Sequence, residues 1–402
     1  MYEERKTGGK RQSLSNVGGR ASFRGDEAFS HPLCASLEAV NESEGELGIH
    51  GLHSYPARMH PAVARRALEL FAPGPGATLL DPFCGSGTTL VEAMTTGWRC
   101  LGSDLNPLGL DLARVKCWRM GEPERERFGL SLIKVAEASE DRVRGRVQVR
   151  AKLSKEERDY YEVHVLKEFA GLLEEIDKVE NDADRRSMRM LFSAMVVKFS
   201  KQRSDTDERK VQKKLRKGLV TEFFVRKGEE LLRSWQEVDE ACPRKTRRPR
   251  ILRADATRLA TTLSGDFKAD LILTSPPYGG TYDYAHHHRR RFAWLGYKQG
   301  PFEAEEIGSR RRLAKARGGA QQWEGQLLAV LQQMRERLRT EAVALFLIGD
   351  GHVGGTRVQA DRQLEALAPQ AGFQFMGVAS QDREDFAGGP PRQEHLVALI
   401  AS

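Results

Sequence analysis

The sequence predicts an α/β protein, a doubly wound parallel sheet of seven strands interrupted by a helical insertion. Three observations carry this. Short apolar runs alternate with amphipathic helical stretches from about residue 48 to 120, and again from about 250 to the end. A glycine-rich string, DPFCGSGTT at 81–89, stands where an apolar run gives way to a helix. Between 122 and 249 the alternation stops, and the text becomes dense in Lys, Arg and Glu with few turn signals.

The elements follow in order. Residues 1–30 are rich in Gly, Ser, Lys and Arg without apolar periodicity, so 1–47 is expected as a mobile basic tail. Pro61–Leu70 reads as a helix with Val63, Ala67 and Leu70 on one face. Ala77–Asp81 is a short buried strand, Ser86–Thr96 a helix, Arg99–Asp104 a second strand and Leu108–Trp118 another helix. Alternation resumes with strands at Ile251–Ala254 and Asp270–Thr274, a helix at Gln321–Leu338, a strand at Ala342–Ile348 and a helix at Arg362–Leu367. Phe373–Ser380 and His395–Ile400 close the chain as an antiparallel pair. The economical division is a split sheet domain, 48–121 and 250–402, carrying 122–249 as a basic helical insertion between its second and third strands.

Composition narrows the function. The 402 residues hold 64 Lys and Arg against 56 Asp and Glu, a net charge of +8, and 40% are apolar, enough for a sizeable core. No apolar stretch reaches the roughly 18–20 residues of a membrane span. The N-terminus lacks the apolar core of an export signal, so a cytoplasmic protein, nucleoid-associated when on DNA, is expected. Five scattered cysteines without a CxxC pair argue against a disulfide framework or a zinc ribbon.

The chemistry concentrates in four places. In Asp81-Pro82-Phe83-Cys84-Gly85-Ser86-Gly87-Thr88-Thr89 the glycines allow a sharp turn and a close backbone approach to a ligand. The helix that follows offers free N–H groups. No Lys follows the last glycine of the loop, which excludes a Walker A loop. Asp104 ends the second strand, where a carboxylate can accept from ribose hydroxyls; a helix cap is the plain alternative. Asp255 follows the third strand, with an adenine contact and an N-cap equally open. Thr274-Ser275-Pro276-Pro277-Tyr278-Gly279 ends a buried strand. The prolines fix φ, a serine hydroxyl and a proline carbonyl can both accept from one exocyclic NH₂, and Tyr278 supplies a flat face for a base.

DPFCGSGTT followed by TSPPY resembles the amino-group DNA methyltransferases, which methylate N4 of cytosine or N6 of adenine with S-adenosylmethionine. The resemblance implies a seven-stranded class I (Rossmann-like) methyltransferase sheet. It implies Asp81, Gly85 and Gly87, with Phe83 and Thr88 of the same string, at the cofactor, Asp104 at its ribose and Asp255 at its adenine. Ser275, Pro276, Pro277 and Tyr278 would hold a base flipped from double-stranded DNA. His53-Ser54-Tyr55-Pro56-Ala57-Arg58-Met59-His60-Pro61 is similar to the family's N-terminal cofactor segment, with Tyr55 and Pro56 as its contacts. Serine before Pro-Pro-Tyr leans toward cytosine N4. No cysteine follows the proline, which excludes methylation at the cytosine 5-position by a covalent route. The setting implied is restriction–modification or defence, with a cognate endonuclease as a partner. The alternatives are adenine N6, an RNA methyltransferase, and a non-catalytic nucleic-acid-binding relative.

The charge map suggests where nucleic acid would be gripped. Lys198–Lys227 holds eleven Lys and Arg against four acids, and Arg244–Arg250 adds an acid-free cluster. Lys213, Lys214, Arg216, Lys217, Arg247, Arg248 and Arg289 are the expected phosphate contacts. His286-His287-His288 cannot all face one ion from a helix and lacks a carboxylate or cysteine at ligand spacing, so no metal is expected. The loop at 306–311 could close a pocket or simply lie on the surface.

Overall fold

A computed structural model describes residues 19–40, 44–74, 76–148, 150–205, 207–383 and 392–402. The N-terminal part contributes strand β1 (Ser22–Gly25), helices α1 (Glu27–Leu37) and α2 (Pro61–Leu70), then β2 (Thr78–Asp81), α3 (Thr88–Thr95), β3 (Arg99–Asp104) and α4 (Pro107–Lys116). The insertion adds α5 (Glu122–Arg144), α6 (Lys155–Arg158), α7 (Val163–Asp177), α8 (Asp182–Val196), the hairpin β4 (Gln202–Ser204) and β5 (Asp207–Lys210), and α9 (Leu219–Ala241). The sheet domain resumes with β6 (Arg250–Arg253), β7 (Ala269–Thr274) and four short helices, α10 (Tyr284–His287), α11 (Arg289–Leu295), α12 (Gln299–Glu305) and α13 (Arg310–Lys315). It ends with α14 (Gly319–Glu336), β8 (Leu338–Gly349), β9 (Gly351–Val353), β10 (Thr356–Val358), α15 (Ala360–Leu367), β11 (Phe373–Arg383) and β12 (Arg392–Ala401).

The main sheet has eight strands in the order β1-β11-β12-β8-β7-β2-β3-β6. The run from β8 to β6 is parallel, and β12 enters antiparallel beside β8. This is a doubly wound α/β sheet with one strand more than the seven expected. The central strands are buried on both faces, as parallel strands covered by helices must be: Leu79, Leu80, Leu271, Ile272, Leu273, Leu345 and Phe346 are all fully inaccessible. The helices begin where the sequence marks them. Asn106 caps α4 by accepting from Leu108 N at 3.1 Å, with Pro107 at the first turn. Among the described residues, no helix is long and apolar enough to cross a membrane.

Two expectations need correction. The expected tail contains folded structure: β1 pairs antiparallel with β11, and α1 packs behind it. Four residues at a sheet edge show no periodicity, because backbone bonds to a strand some 350 residues away hold them. Asp26 N donates to Met376 O at 2.8 Å, and Arg24 pairs with Asp361 and Glu365 at 3.0 and 2.9 Å. Gly25 has φ +105°, and a Cβ there would lie 2.5 Å from Met376 O. Residues 1–18 and 41–43 of the expected tail lie outside the described residues.

The insertion, secondly, is not purely helical. The basic stretch contains the hairpin pair β4 and β5, antiparallel with Gln202 opposite Lys210 and Ser204 opposite Asp207. Nor does the insertion have a separate core. Phe128, Phe169, Phe192, Phe224 and Trp235 belong to one hydrophobic cluster with Leu90 and Leu108 of the sheet domain. Trp235 Nε1 donates to Val115 O of α4 at 2.8 Å.

Candidate functional site

The order in which strands are added reverses between β2 and β7, which run parallel: one half of the sheet is laid down outward from β2 to β6, the other from β7 to β8. At such a switch point the loops leaving the carboxyl ends of neighbouring strands diverge and leave a crevice. A cleft of about 820 Å³, counting its open mouth, lies there. Its walls include Asp81 and the loop after it, Asp104 and Asn106 after β3, Ala254 and Ala256 after β6, and Ser275 and Pro277 after β7.

The glycine string is folded by its own backbone. Gly85 and Gly87 adopt φ of +46° and +83°, a region open to glycine at little cost. Gly85 N donates to Asp104 Oδ2 at 2.8 Å and Cys84 N to Ser103 O at 2.9 Å, which binds the loop to β3. Gly87 is absent from the cleft wall. A Cβ there would lie 2.9 Å from Ala113 Cβ, so this glycine serves the packing of α3 on α4. Asp81 is buried and accepts from Thr274 Oγ1 at 2.7 Å and Phe83 N at 3.1 Å. Burial outweighs these bonds and pushes its carboxyl up to about 7. Burial likewise raises Asp104, whose Oδ1 accepts from Asn106 N at 2.8 Å. Thr88 Oγ1 is buried on the cleft wall without a partner.

The opposite wall comes from the N-terminal segment. Tyr55 is buried, its hydroxyl accepts from Asn106 Nδ2 at 2.9 Å, and its ring backs Gly85. Ala57, Arg58 and Met59 line the cleft beside it; Pro56 does not. Glu306 and Ile307 close one side, so the loop after α12 is part of the wall. Glu306 accepts from Tyr284 N at 2.5 Å, and burial pushes it up to about 7.

The sequence reading also missed Arg58, Met59, Asn106, Tyr284, Phe302 and Glu306. An available signal was the aromatic spacing Tyr278, Tyr282 and Tyr284 directly after the double proline.

Asp255 is absent from the wall. It caps the turn that follows, accepting from Thr257 N at 2.9 Å and Thr257 Oγ1 at 2.7 Å, so the structure places it in its capping role. Pro276 is buried behind the wall. Tyr278 does not offer its face to the cleft as expected. It is 5% exposed, its ring packs where Gly349 of β8 has no side chain, and its hydroxyl donates to Glu394 Oε1 at 2.7 Å.

The expected phosphate contacts divide sharply. Lys213 Nζ donates to the carbonyls of Gln202, Lys198 and Val197 at 2.8, 3.1 and 3.2 Å. Arg216 pairs with Glu222, and Arg248 lies 3.9 Å over the Trp118 ring. Arg289 pairs with Glu208 at 3.2 Å and Glu157 at 3.7 Å. Lys217 lines a second cavity within the insertion, beside Arg146 and Lys167. Lys214 and Arg247 are exposed. The run expected beside the target instead turns inward: Arg290 meets Glu157 at 2.7 Å, and Arg291 meets Asp205 and donates to Ser54 Oγ at 3.2 Å. One carboxylate–imidazole cluster forms elsewhere among the described residues, at Asp350, Asp361 and His395. Arg24, Arg357 and Ser380 hold these groups at 3.0, 3.3 and 2.8 Å.

Parts of the chain are similar to known proteins. Residues 52–155 match the family model described as RMKL-like, methyltransferase domain. The type II methyltransferase M.MjaII of Methanocaldococcus jannaschii is 33% identical over 81 residues, 20% of this chain and 15% of that protein. A tRNA (guanine(10)-N2)-dimethyltransferase of Methanothermobacter thermautotrophicus is 39% identical over 72 residues, 18% of each chain. The type II methyltransferase M.BsoBI of Geobacillus stearothermophilus is 22% identical over 297 residues, 67% of this chain and 56% of that protein. The chain thus spans less than two thirds of the curated relatives it matches. With the sheet order and the glycine loop, these matches support a methyltransferase domain built around residues 52–155 of an α/β sheet.

Proposed function

We propose that the chain methylates an exocyclic amino group of a base flipped from double-stranded DNA, with cytosine N4 as the target atom, in a restriction–modification or defence setting with a cognate endonuclease. The observation that carries this reading is that Ser275 and Pro277 share one cleft with Asp81 and Asp104. An acceptor pair suited to NH₂ therefore faces a site suited to the cofactor. The relatives named as type II methyltransferases support DNA as the substrate in this reading; the tRNA relative keeps RNA as the second arm of the test.

The residues present suit S-adenosylmethionine. The buried, unpartnered Thr88 Oγ1 can donate to a carboxylate or accept from an ammonium. Asp81 and Asp104 place two carboxylates where a cation and a ribose diol would lie. Tyr55, Ala57, Met59 and Phe302 supply apolar surface for an adenine. When bound, the cofactor supplies an electrophilic methyl group on a sulfonium.

The chain's own task is positioning. An exocyclic amine is a poor nucleophile because its lone pair is delocalised into the ring. Ser275 Oγ and a proline carbonyl accept its two N–H groups and favour a more tetrahedral nitrogen. The lone pair is then aimed along the line of displacement. Sulfur keeps the electron pair of the bond that breaks, and nitrogen gives up one proton. The test is incubation with labelled cofactor and DNA or RNA, followed by digestion and mass spectrometry of the nucleosides. Label on a cytosine or adenine amino group of DNA is expected. Label in RNA alone would overturn the substrate, and label on adenine would correct the base.

A further inference from the structure

We propose that Lys116, acting through the Ser86 hydroxyl, positions the carboxylate of the cofactor's amino-acid end at the start of α3. This rests on the reading that the cleft takes S-adenosylmethionine. Lys116 lies in the last turn of α4 and is completely inaccessible. A lysine is almost never fully buried without a partner of opposite charge. Among the described residues, its amine has one hydrogen bond, donated to Ser86 Oγ at 3.3 Å, and no carboxylate at ion-pair distance. Glu92, an acid on the neighbouring helix α3, is already held by His50 Nε2 and Arg65 Nε at 2.8 Å each. Helix packing explains how the lysine reaches the glycine loop. Ala113 of α4 abuts Gly87, and Lys116 stands one turn further along the same face. Burial pushes the amine well below the ordinary lysine range, as expected of a cation that lacks an anion.

On the other side of Ser86 is the cleft. Ser86 and Thr88 both line it, at 2% and 4% exposure, and Thr88 Oγ1 has no partner. Thr88 opens α3, whose first N–H groups have no acceptor within the helix. Arg58, a cation on the cleft wall, donates instead to the carbonyls of His50 and Gly45. Asp81 and Asp104 supply negative charge elsewhere in the cleft. The site is thus polarised as the ligand is, with acids for the sulfonium and the diol and a buried amine for the carboxylate. An arriving carboxylate favours the ammonium form of Lys116 against burial. An ammonium has only protons to give, so Ser86 Oγ accepts from it and the serine proton is left for the carboxylate. Lys116 is a positioning residue in this scheme, because Ser86 stands between it and the ligand.

The experiment measures binding of S-adenosylhomocysteine and of its decarboxylated counterpart to wild type, Lys116→Met, Ser86→Ala and the double variant. Calorimetry at one pH gives Kd, and thermal midpoints are read alongside. Methionine keeps an unbranched side chain without the charge, and Ser86→Ala gives the same reading should Lys116→Met misfold. Wild type should bind the carboxylated ligand about tenfold or more tightly than the decarboxylated one. Lys116→Met should lose about tenfold or more in affinity for S-adenosylhomocysteine and change within about twofold for the decarboxylated ligand. The double variant should lie within about twofold of Lys116→Met, because the two residues act in series. A folded Lys116→Met that weakens both ligands equally, or neither, overturns the proposal while leaving the methyltransferase reading intact. So does a wild type that binds the two ligands alike. A wild-type protein that binds neither S-adenosylmethionine nor S-adenosylhomocysteine overturns both.

Discussion

The cleft at the switch point and the insertion treat charge in opposite ways. In the cleft, Asp81 and Glu306 are buried and Asp104 is partly buried, all with hydrogen bonds but, among the described residues, no cation at ion-pair distance, and all three are held above the ordinary carboxylate range. In the insertion the basic surplus is largely met by partners: Arg127 with Asp184, Arg142 with Glu175 and Glu174, Arg216 with Glu222, Lys213 with three carbonyls. The difference teaches that a charge count in sequence is not a map of available charge. The uncompensated groups sit in the site with little net charge, while the strongly basic segment uses its cations to hold itself together and to dock on the sheet domain.

The comparison can be broken most forcefully at the junction between the two regions. Arg291 is fully buried between Asp205, Ser54 and Ser193, so Arg291→Ala should cost about 3–5 kcal/mol of stability by leaving a carboxylate unpaired. A thermal or denaturant melt unchanged from wild type would show that the junction is not structural. Ser275→Ala should lower kcat roughly a hundredfold, about 2.7 kcal/mol, with cofactor affinity nearly unchanged by calorimetry. Equal loss of both would remove Ser275 from the acceptor role.

The third test is pH. Asp81 is raised to about 7, so in the free protein it is neutral below that value, and the stability its neutral form contributes is lost as pH rises through about 7. A sulfonium ligand favours the ionised form. Cofactor affinity should therefore rise about tenfold between roughly pH 6 and 8 and flatten above, and Asp81→Asn should reduce this dependence to what Glu306, raised to the same range, contributes. The same titration with the uncharged product should be shallower.

The smallest effects separate exposed cations from paired ones. Lys214→Glu and Arg247→Glu should each weaken DNA binding several-fold and reduce its salt dependence. Arg216→Ala, whose guanidinium already has Glu222, should change binding little. An equal loss for all three would mean that the ion pair opens on binding.

What was legible in the sequence was local. Pro61–Leu70 and Arg99–Asp104 match the observed elements residue for residue, because caps, prolines and apolar spacing act within a few residues. The glycine loop was legible for the same reason. β1 was not, since its partners lie on a distant strand. Asp255 and Tyr278 show the limit in the site: a motif names residue types, but whether a carboxylate faces a ligand or caps a turn depends on which strands flank it. Tyr284 and Phe302 reach the wall from helices of four and seven residues, too short to carry a periodic signal, and Glu306 from the loop after α12. The cations of the insertion read as free because their acidic partners lie up to 124 positions away, as Glu124 does from Arg248.

The short first strand has a consequence for solution behaviour. β11 spans eleven residues, and β1 covers four of them with backbone bonds. A protein starting after Gly25 would present the whole of β11 as an unpaired edge, a template on which another chain can add a strand. The N-terminal segment thereby serves as a guard against self-association, and proteolytic clipping near Arg24 would turn a monodisperse preparation into an aggregating one without touching the cleft.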